Sequence, residues 1–265
     1  MFYIVATPIG NLKDITIRAI ETLKQSDYIL CEDTRTSRVL LSTYQIDKPL
    51  YSYHKFNEKE KCEKIYSDLI SGKDICLISD AGMPGISDPG SVIVNYLIER
   101  KIAYTVLPGP SALINAQVLS GYSAPFTFVG FLPEKAKDRN KILENVAKST
   151  FTSIYYVAPH EINKFFENCL KVMGDREVCV TRELTKKFEE VSFTTLCKGY
   201  NSTVKGEFVC IIKGKEKDDN VSEEQIIKEY QSLIKDYSKK DAISIICDKY
   251  SLKKNFVYSL CVKVD

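Results

Sequence analysis

Short apolar runs alternate with longer amphipathic stretches along the first 110 residues of the chain. The runs at 2–6, 28–31, 75–78 and 104–107 are rich in Ile, Leu, Val and Tyr, and their length is typical of buried strands. The stretches between them place apolar residues three or four positions apart, which predicts helices. Strands that alternate with helices in this way indicate a mainly parallel sheet with helices on both faces.

A second set of strands and helices follows residue 110. Its predicted strands are again short and apolar, and they cover residues 126–131, 153–157, 177–181 and 207–212. Residues 188–196 are predicted to form a helix or an extended arm. The fold class is therefore α/β, and we predict two α/β domains, residues 1–110 and 111–215, with a cleft between them.

The last part of the chain has a different character. Lys213–Asn220 is highly charged and predicts a linker. Ser222 and Gln225 then have the spacing of a capping box, which marks the start of a helix. Amphipathic segments continue to the end, so residues 221–265 predict a small helical appendage of the helix-turn-helix type. Its many lysines fit a role in gripping RNA phosphates, and they fit a solvated helical cap equally well.

Composition narrows the function classes. The 265 residues carry a formal net charge of +2, so any nucleic-acid footprint must be local. No apolar run approaches a membrane span, and the chain starts in strand-like sequence without a signal peptide, so we predict no membrane partner. Nine cysteines without C-x-x-C spacing indicate a reducing, cytoplasmic location. Two histidines exclude a zinc site built on several histidines, and no metal is predicted.

The stretch Leu77–Gly90 is the most distinctive in the chain. Three glycines and two prolines fall between Gly82 and Gly90, directly after a predicted buried strand and before a predicted helix. Glycine permits close approach of a ligand to the backbone, and proline stiffens the loop. Such a loop at the carboxyl edge of a parallel sheet is typical of a ligand site. An ordinary strand-to-helix connection explains the composition too.

Two further loops carry candidate chemistry. Glu32, Asp33 and Arg35 follow the predicted strand at 28–31, at the sheet edge where α/β proteins place their functional groups. A helix N-cap with a local ion pair explains them as well. The strand at 104–107 ends in a Pro- and Gly-rich turn, and Ser111 is placed to cap the next helix.

The order of these loops resembles a known family. Val5–Thr16, Cys31–Arg35 and Leu77–Gly90 are similar to signature blocks of the ribosomal RNA small subunit methyltransferase I branch of the tetrapyrrole methylase-like (class III) methyltransferases. Further similar blocks continue as far as Gly206–Val209. The resemblance covers nearly all of residues 1–213, and the helical tail matches the family's usual carboxyl-terminal extension.

The resemblance implies a fold, a cofactor, a substrate and an assembly state. It implies transfer of a methyl group from S-adenosylmethionine to the ribose 2′-hydroxyl of a cytidine in small-subunit (16S) ribosomal RNA, by a homodimer. The cofactor is expected in the cleft between the two α/β domains. The family's cofactor-contacting positions correspond here to Pro8, Ile9, Gly10, Asp80, Ala81, Gly82, Met83, Ile86, Ser111, Ala112, Val157, Ala158, Leu184, Glu207 and Phe208.

A ribose hydroxyl is a poor nucleophile until its proton leaves, so the implied reaction calls for a general base. Glu32, Asp33 and His54 are the candidates, while Arg35 and Arg38 suit phosphate. We rank Glu32 and Arg35 first because they follow a strand beside the cofactor loops. For His54 a structural role stays open.

Two other functions compete with this interpretation. The first is methylation of a tetrapyrrole or another small molecule, the better-known activity of the superfamily. The second is a non-catalytic RNA-binding factor in ribosome assembly that keeps the fold. The complete set of cofactor loops argues against the second, because a binding module has no need of Asp80, Gly82 and Ser111.

Overall fold

A five-stranded parallel sheet forms the first half of the protein in the computed structural model, which describes residues 1–215, 222–250 and 252–261. The strands stand in the order β3-β2-β4-β1-β5, and every neighbouring pair is parallel. Their ranges are β1, Phe2–Val5; β2, Tyr28–Cys31; β3, Leu50–Ser52; β4, Ile75–Leu77; and β5, Tyr104–Leu107. Because all five run the same way, the loops after β1, β2, β4 and β5 leave at one edge.

Helices cover both faces of this sheet, as the hydrophobic pattern predicts. One buried cluster contains Phe2, Leu30 and Leu77, and a second contains Val5, Ile29 and Ile78. Successive strand residues point to opposite faces, so β1, β2, β4 and β5 each contribute to both clusters. The helices of this half are α1, Ile17–Gln25; α2, Thr34–Thr43; α3, Glu58–Ile70; and α4, Ser91–Glu99.

The second half is built on a mixed sheet in the order β6-β7-β10-β8-β9. Only β6 and β7 are parallel, and the other pairs are antiparallel. The elements are α5, Ala112–Ser120; β6, Phe126–Gly130; α6, Ala136–Ala147; β7, Thr152–Val157; α7, Ile162–Met173; β8, Glu177–Arg182; β9, Glu190–Thr195; and β10, Phe208–Ile212. Strand β10, the last strand within the described residues, is wholly buried and lies in the middle of this sheet. Helix α5 packs against β10, and the domain boundary at residue 110 stays a prediction.

The helical option for residues 188–196 is wrong. Residues 190–195 form β9, which pairs with β8 along its whole length, from Glu190 opposite Arg182 to Thr195 opposite Glu177. The segment is rich in β-branched and aromatic residues, which fit a pleated surface better than a helix. Its arginine–glutamate pair also supports the register, since Arg182 Nη2 lies 2.8 Å from Glu190 Oε2.

Three further helices follow: α8, Glu223–Leu233; α9, Lys239–Tyr250; and α10, Lys254–Cys261. They share a core of their own that includes Ile226, Ile246 and Val257. The capping box is confirmed, because the Gln225 N–H donates to Ser222 Oγ at 3.1 Å and the Ser222 N–H donates to Gln225 Oε1 at 3.4 Å. Residues 216–221 of the predicted linker and appendage, residue 251 and residues 262–265 lie outside the described residues. Within the described ranges, no helix has the length and apolar composition needed to cross a bilayer.

Candidate active site

A cavity of about 360 Å³ lies where the loops at the carboxyl edge of the first sheet meet the ends of β7 and β10. Both halves of the chain contribute to its walls. The lining residues are Ile9, Ala81, Gly82, Met83, Ile86, Ser87, Asp88, Ser111, Ala112, Phe131, Tyr156, Val157, Ala158, Pro159, Leu184, Glu207, Phe208 and Val209.

The structure brings most of the predicted cofactor residues to this one cavity. All of the fifteen positions line it except Pro8, Gly10 and Asp80. They come from loops far apart in the sequence, and the parallel first sheet gathers the earlier ones at a single edge. Their location is therefore shared, and their role in binding stays a prediction.

Gly10 lies against the segment that follows β8. A Cβ atom on Gly10 would come within 2.7 Å of Thr185 Oγ1 and 2.8 Å of the Leu184 carbonyl oxygen, so only glycine allows this approach. The Asn11 N–H also donates to Thr185 Oγ1, at 3.0 Å. Because Leu184 lines the cavity, this contact controls the separation of two cavity walls.

The wall around Leu184 is strained and held by charge. Glu183 and Thr185 have φ values of 51° and 65°, a region that costs a residue with a side chain about 1–3 kcal/mol. Lys186 Nζ donates to Glu183 Oε1 at 2.9 Å and to Glu207 Oε2 at 2.8 Å. This bridging cation ties the strained turn to the start of β10.

A short antiparallel bridge joins the loops after β1 and β4. The Thr7 N–H donates to the Gly82 carbonyl at 2.8 Å, and the Gly82 N–H donates to the Thr7 carbonyl at 3.0 Å. The buried Thr7 hydroxyl also donates to the Ser79 carbonyl at 3.1 Å. Gly82 has a φ of 79°, which favours glycine, and Ile9 Cγ2 is 3.4 Å from the position of a Cβ there. The bridge thus holds Ile9 and Gly82 on the same wall.

Asp33 and Arg35 form the N-cap and ion pair that the composition of their loop allowed. The Asp33 carboxylate accepts from the Arg35 N–H at 2.8 Å and from Arg35 Nη2 at 2.7 Å. The hydrogen bond from the Arg35 side chain lowers the pKa of Asp33 to about 2. The Asp33 N–H donates to Asp80 Oδ1 at 3.2 Å, which connects the loop after β2 with the loop after β4.

His54 lies on the turn before α3. The ring Nε2 of His54 is 3.2 Å from Asn57 Nδ2, and the backbone N–H of His54 donates to Asn57 Oδ1 at 2.9 Å. Its Nδ1 is buried without a hydrogen-bond partner among the described residues. Glu32, Arg35 and His54 all lie outside the cavity lining, and their catalytic roles stay predictions.

Asp88 is a lining residue that the sequence reasoning missed. It belongs to the distinctive loop but lies past the positions that the resemblance marked. Partial burial raises the pKa of Asp88 to about 7, and the charges of Glu32 and Asp80 contribute to the rise. A carboxylic acid with this pKa is unusual, and such groups concentrate at functional sites.

Residues 1–198 match the family model described as Tetrapyrrole (Corrin/Porphyrin) Methylases. A relative named Ribosomal RNA small subunit methyltransferase I, from Mycoplasmopsis pulmonis, is 47% identical over 213 residues, covering 79% of this chain and 96% of the relative. Proteins of the same name from Haemophilus influenzae and Bacillus subtilis are 43% and 42% identical; the matches cover 97% and 85% of this chain and 95% and 79% of those proteins. The chain belongs to the ribosomal RNA small subunit methyltransferase I family.

Solved structures support the fold of this methyltransferase family. The methyltransferase CobJ aligns with a TM-score of 0.62 at 16% identity, over 80% of this chain and 93% of CobJ. A uroporphyrin-III C-methyl transferase from Thermus thermophilus, complexed with S-adenyl homocysteine, aligns with a TM-score of 0.59 at 16% identity, over 79% and 96% of the two chains. The predicted fold, two α/β halves and a helical tail, is confirmed for this methyltransferase.

The cavity of this family member fits S-adenosylmethionine in size, polarity and charge. A volume of about 360 Å³ is within the range of roughly 300–1,000 Å³ for small-molecule sites. Ile9, Met83 and Phe131 supply apolar surface for a flat heterocycle, and Gly82, which has no side chain, leaves room for a ligand beside the loop. Asp88 offers negative charge to a cationic sulfonium.

Proposed function

We propose that this protein transfers a methyl group from S-adenosylmethionine to the ribose 2′-hydroxyl of a cytidine in small-subunit (16S) ribosomal RNA. The observation that carries the proposal is the single cavity lined by the predicted donor residues, in a chain of this methyltransferase family. The relatives' name favours ribosomal RNA over a tetrapyrrole as the acceptor. It also favours an enzyme over a non-catalytic assembly factor.

The cavity residues bind and align the reactants in this proposal. S-adenosylmethionine supplies an electrophilic methyl group on a cationic sulfur. Apolar side chains such as Ile9 and Met83 exclude water, and the absence of a side chain at Gly82 lets the donor approach the loop closely. Holding the acceptor hydroxyl in line with the methyl group supplies much of the rate acceleration.

Residues outside the lining act on the RNA side in this proposal. Glu32 adds negative charge near the acceptor, and Arg35 binds a phosphate of the RNA backbone. The Arg35 side chain is 90% exposed and projects from the edge that carries the cavity loops, which supports this role. His54, fixed by Asn57, positions the turn before α3.

Methyl transfer from labelled donor tests the function. Small ribosomal subunits, naked small-subunit RNA and a tetrapyrrole precursor are incubated in parallel with the protein. We expect label only on RNA, in a linkage that resists alkali because a 2′-O-methyl group blocks cleavage of the chain there. Label on a base, or on the tetrapyrrole, contradicts the proposal.

The homodimer in this proposal uses the outer face of α5. Helix α5 is apolar on most sides, and Ile114, Val118 and Leu119 are 47%, 75% and 42% exposed. Val118→Asp is expected to yield monomers in sedimentation velocity, since a charge cannot enter an apolar interface unpaired. Ile70→Asp on α3, which is 61% exposed, is the matched control and leaves the dimer intact. A dimer that survives Val118→Asp contradicts the use of this face.

The C-terminal helices bind RNA in this proposal, and the protein acts in the cytoplasm. The nine cysteines have no C-x-x-C spacing, which supports a reducing compartment. Deleting residues 221–265 is expected to weaken RNA binding in a filter assay and to leave donor binding unchanged in calorimetry. An unchanged RNA affinity argues for a cap on the body instead.

A further inference from the structure

We propose that Asp88 is the general base that removes the proton from the acceptor hydroxyl. This inference rests on the proposed methyl transfer and names a group for it that lies inside the cavity. It differs from the assignment of Glu32, which lies outside the cavity lining.

The cavity lining contains two carboxylates that could act as the base. Asp88 and Glu207 are the acidic residues of the lining. Glu207 already accepts a hydrogen bond from Lys186 at 2.8 Å, and its side chain is 72% exposed. Asp88 has no hydrogen-bond or ion-pair partner within the described part of the chain, so its oxygens are available to a substrate hydroxyl.

The neighbouring carboxylates Asp33 and Asp80 already have partners. Asp33 is held by Arg35, and Asp80 accepts a hydrogen bond from the Asp33 N–H. Both are thus engaged in connecting the loops after β2 and β4. Asp88, in contrast, lines the cavity and is also subject to the negative charge of Glu32.

The backbone around Asp88 has an unusual conformation. Gly85 and Gly90 have φ values of 83° and 144°, and Ser87 has a φ of 66° although it carries a side chain. Left-handed backbone at three positions turns the loop back toward the cavity, so Ser87 and Asp88 both face it. A residue such as Ser87 persists in this conformation only where its surroundings hold it, which is typical of pre-organised sites.

The charge around Asp88 matches the task of a base. Glu32 after β2 and Asp80 after β4 act on Asp88 with negative charge. Tyr156 on β7 also lines the cavity, and its pKa is raised by burial and by the charge of Asp88. Burial and the two carboxylates raise the pKa of Asp88 to about 7. A general base is most effective when its pKa is close to the working pH.

Proton removal by Asp88 and transfer of the methyl group need no further reactant. The hydroxyl proton moves to a carboxylate oxygen of Asp88 while the acceptor oxygen bonds to the methyl carbon. The electron pair of the carbon–sulfur bond stays on sulfur, which becomes neutral. Asp88 then releases the proton to water.

Asp88→Asn tests the proposal, because asparagine keeps the shape of the side chain and removes its basicity. Single-turnover methylation of RNA is measured from pH 5.5 to 9 in both proteins. In the wild type, at donor concentrations well below the Kd, we expect the rate to rise through about pH 7, the pKa of Asp88 in the free protein. The variant is expected to be slower by about 10²–10⁴-fold and to lack this rise. An equal rate with the same rise overturns the proposal, whereas a wild type that labels no RNA defeats the proposed function itself.

Glu32→Gln separates the two candidate bases. If Asp88 is the base, removing the Glu32 charge lowers the pKa of Asp88 and moves the rise to lower pH. If Glu32 is the base instead, the rise of the rate with pH disappears in Glu32→Gln and persists in Asp88→Asn.

A binding measurement gives a readout that does not depend on activity. A cationic donor beside Asp88 favours its charged form, so S-adenosylmethionine should release protons on binding at pH 7. Calorimetry in buffers of different ionisation enthalpy measures this release. We expect the release to vanish in Asp88→Asn and to be smaller for S-adenosylhomocysteine, whose sulfur is neutral. Equal release from both proteins contradicts the placement of Asp88.

Discussion

The buried hydroxyl of Thr7 supports the loop that brings Gly82 to the cavity, and Thr7→Val tests its contribution. Valine keeps the shape of threonine and removes the donor that reaches the Ser79 carbonyl at 3.1 Å. Thr7 and Ser79 are 1% and 3% exposed, so water cannot replace the lost bond without movement of the loop. A buried polar group left without a partner costs about 1–3 kcal/mol, and we expect the free energy of unfolding to fall by that amount.

The same loss should reach donor binding, because Gly82 in the affected loop lines the cavity. If the loop relaxes to hydrate the Ser79 carbonyl, the donor must restore the bound conformation. A cost of about 1–2 kcal/mol corresponds to a Kd that rises roughly five- to thirtyfold. Isothermal calorimetry measures the Kd, and denaturant unfolding measures stability. Thr7→Ser keeps the hydroxyl and should retain most of the wild-type affinity.

Thr152→Val is the matched control for this prediction. Thr152 is also buried, and its hydroxyl donates to the Ser123 carbonyl at 3.5 Å, away from the cavity lining. It should lower stability slightly and leave the donor Kd unchanged. Suppose that Thr7→Val loses the expected free energy of unfolding but binds the donor with the wild-type Kd. That result refutes the claim that this hydroxyl supports the binding conformation.

Three further changes probe other parts of the structure. Gly10→Ala should weaken donor binding at least tenfold in calorimetry, because the new methyl group collides with Thr185; wild-type affinity would contradict the close approach. Burial disfavours the charged form of Glu183, but the hydrogen bonds from Lys186 and the Glu207 N–H, together with the positive charges of Lys186 and Arg182, outweigh burial and lower the Glu183 pKa. This contribution to stability is present above pH about 4.3, the ordinary glutamate pKa, and is lost as pH falls through the lowered value. Lys186→Met should therefore be less stable than the wild type at pH 7, with a difference that shrinks in acid unfolding scans. Ile226→Ala should cost about 2–5 kcal/mol and unfold the C-terminal helices in circular dichroism without changing donor affinity.

The sequence predicted the fold best where local pattern and tertiary packing agree. The strands at 28–31 and 104–107 are continuous apolar runs, and the structure has them as β2 and β5. Strand β3 has only three residues at a sheet edge, too few to show a period of two. The register of β9 against β8 depends on a partner strand, and local sequence could not separate a helix from a strand there.

The candidate site was predictable in its location and less so in its chemistry. The loops after β1, β4 and β5 converge on one cavity, as a parallel sheet requires. The pKa of Asp88 depends on its burial and on the charge of Glu32, which is distant in sequence and brought near only by the fold. Phe131 and Tyr156 line the cavity because of how β6 and β7 pair, and no local motif marks them.

The place of β10 in the second sheet has a consequence for synthesis of the chain. It is the last strand to be made, and it separates β7 from β8. Until residues 208–212 leave the ribosome, β6–β7 and β8–β9 remain two pairs with open edges, and open edges invite aggregation. A stalled nascent chain that ends before β10 should therefore be protease-sensitive and fail to retain S-adenosylmethionine. A chain that extends past β10 should become resistant to protease and retain S-adenosylmethionine, and both changes should occur at the same chain length.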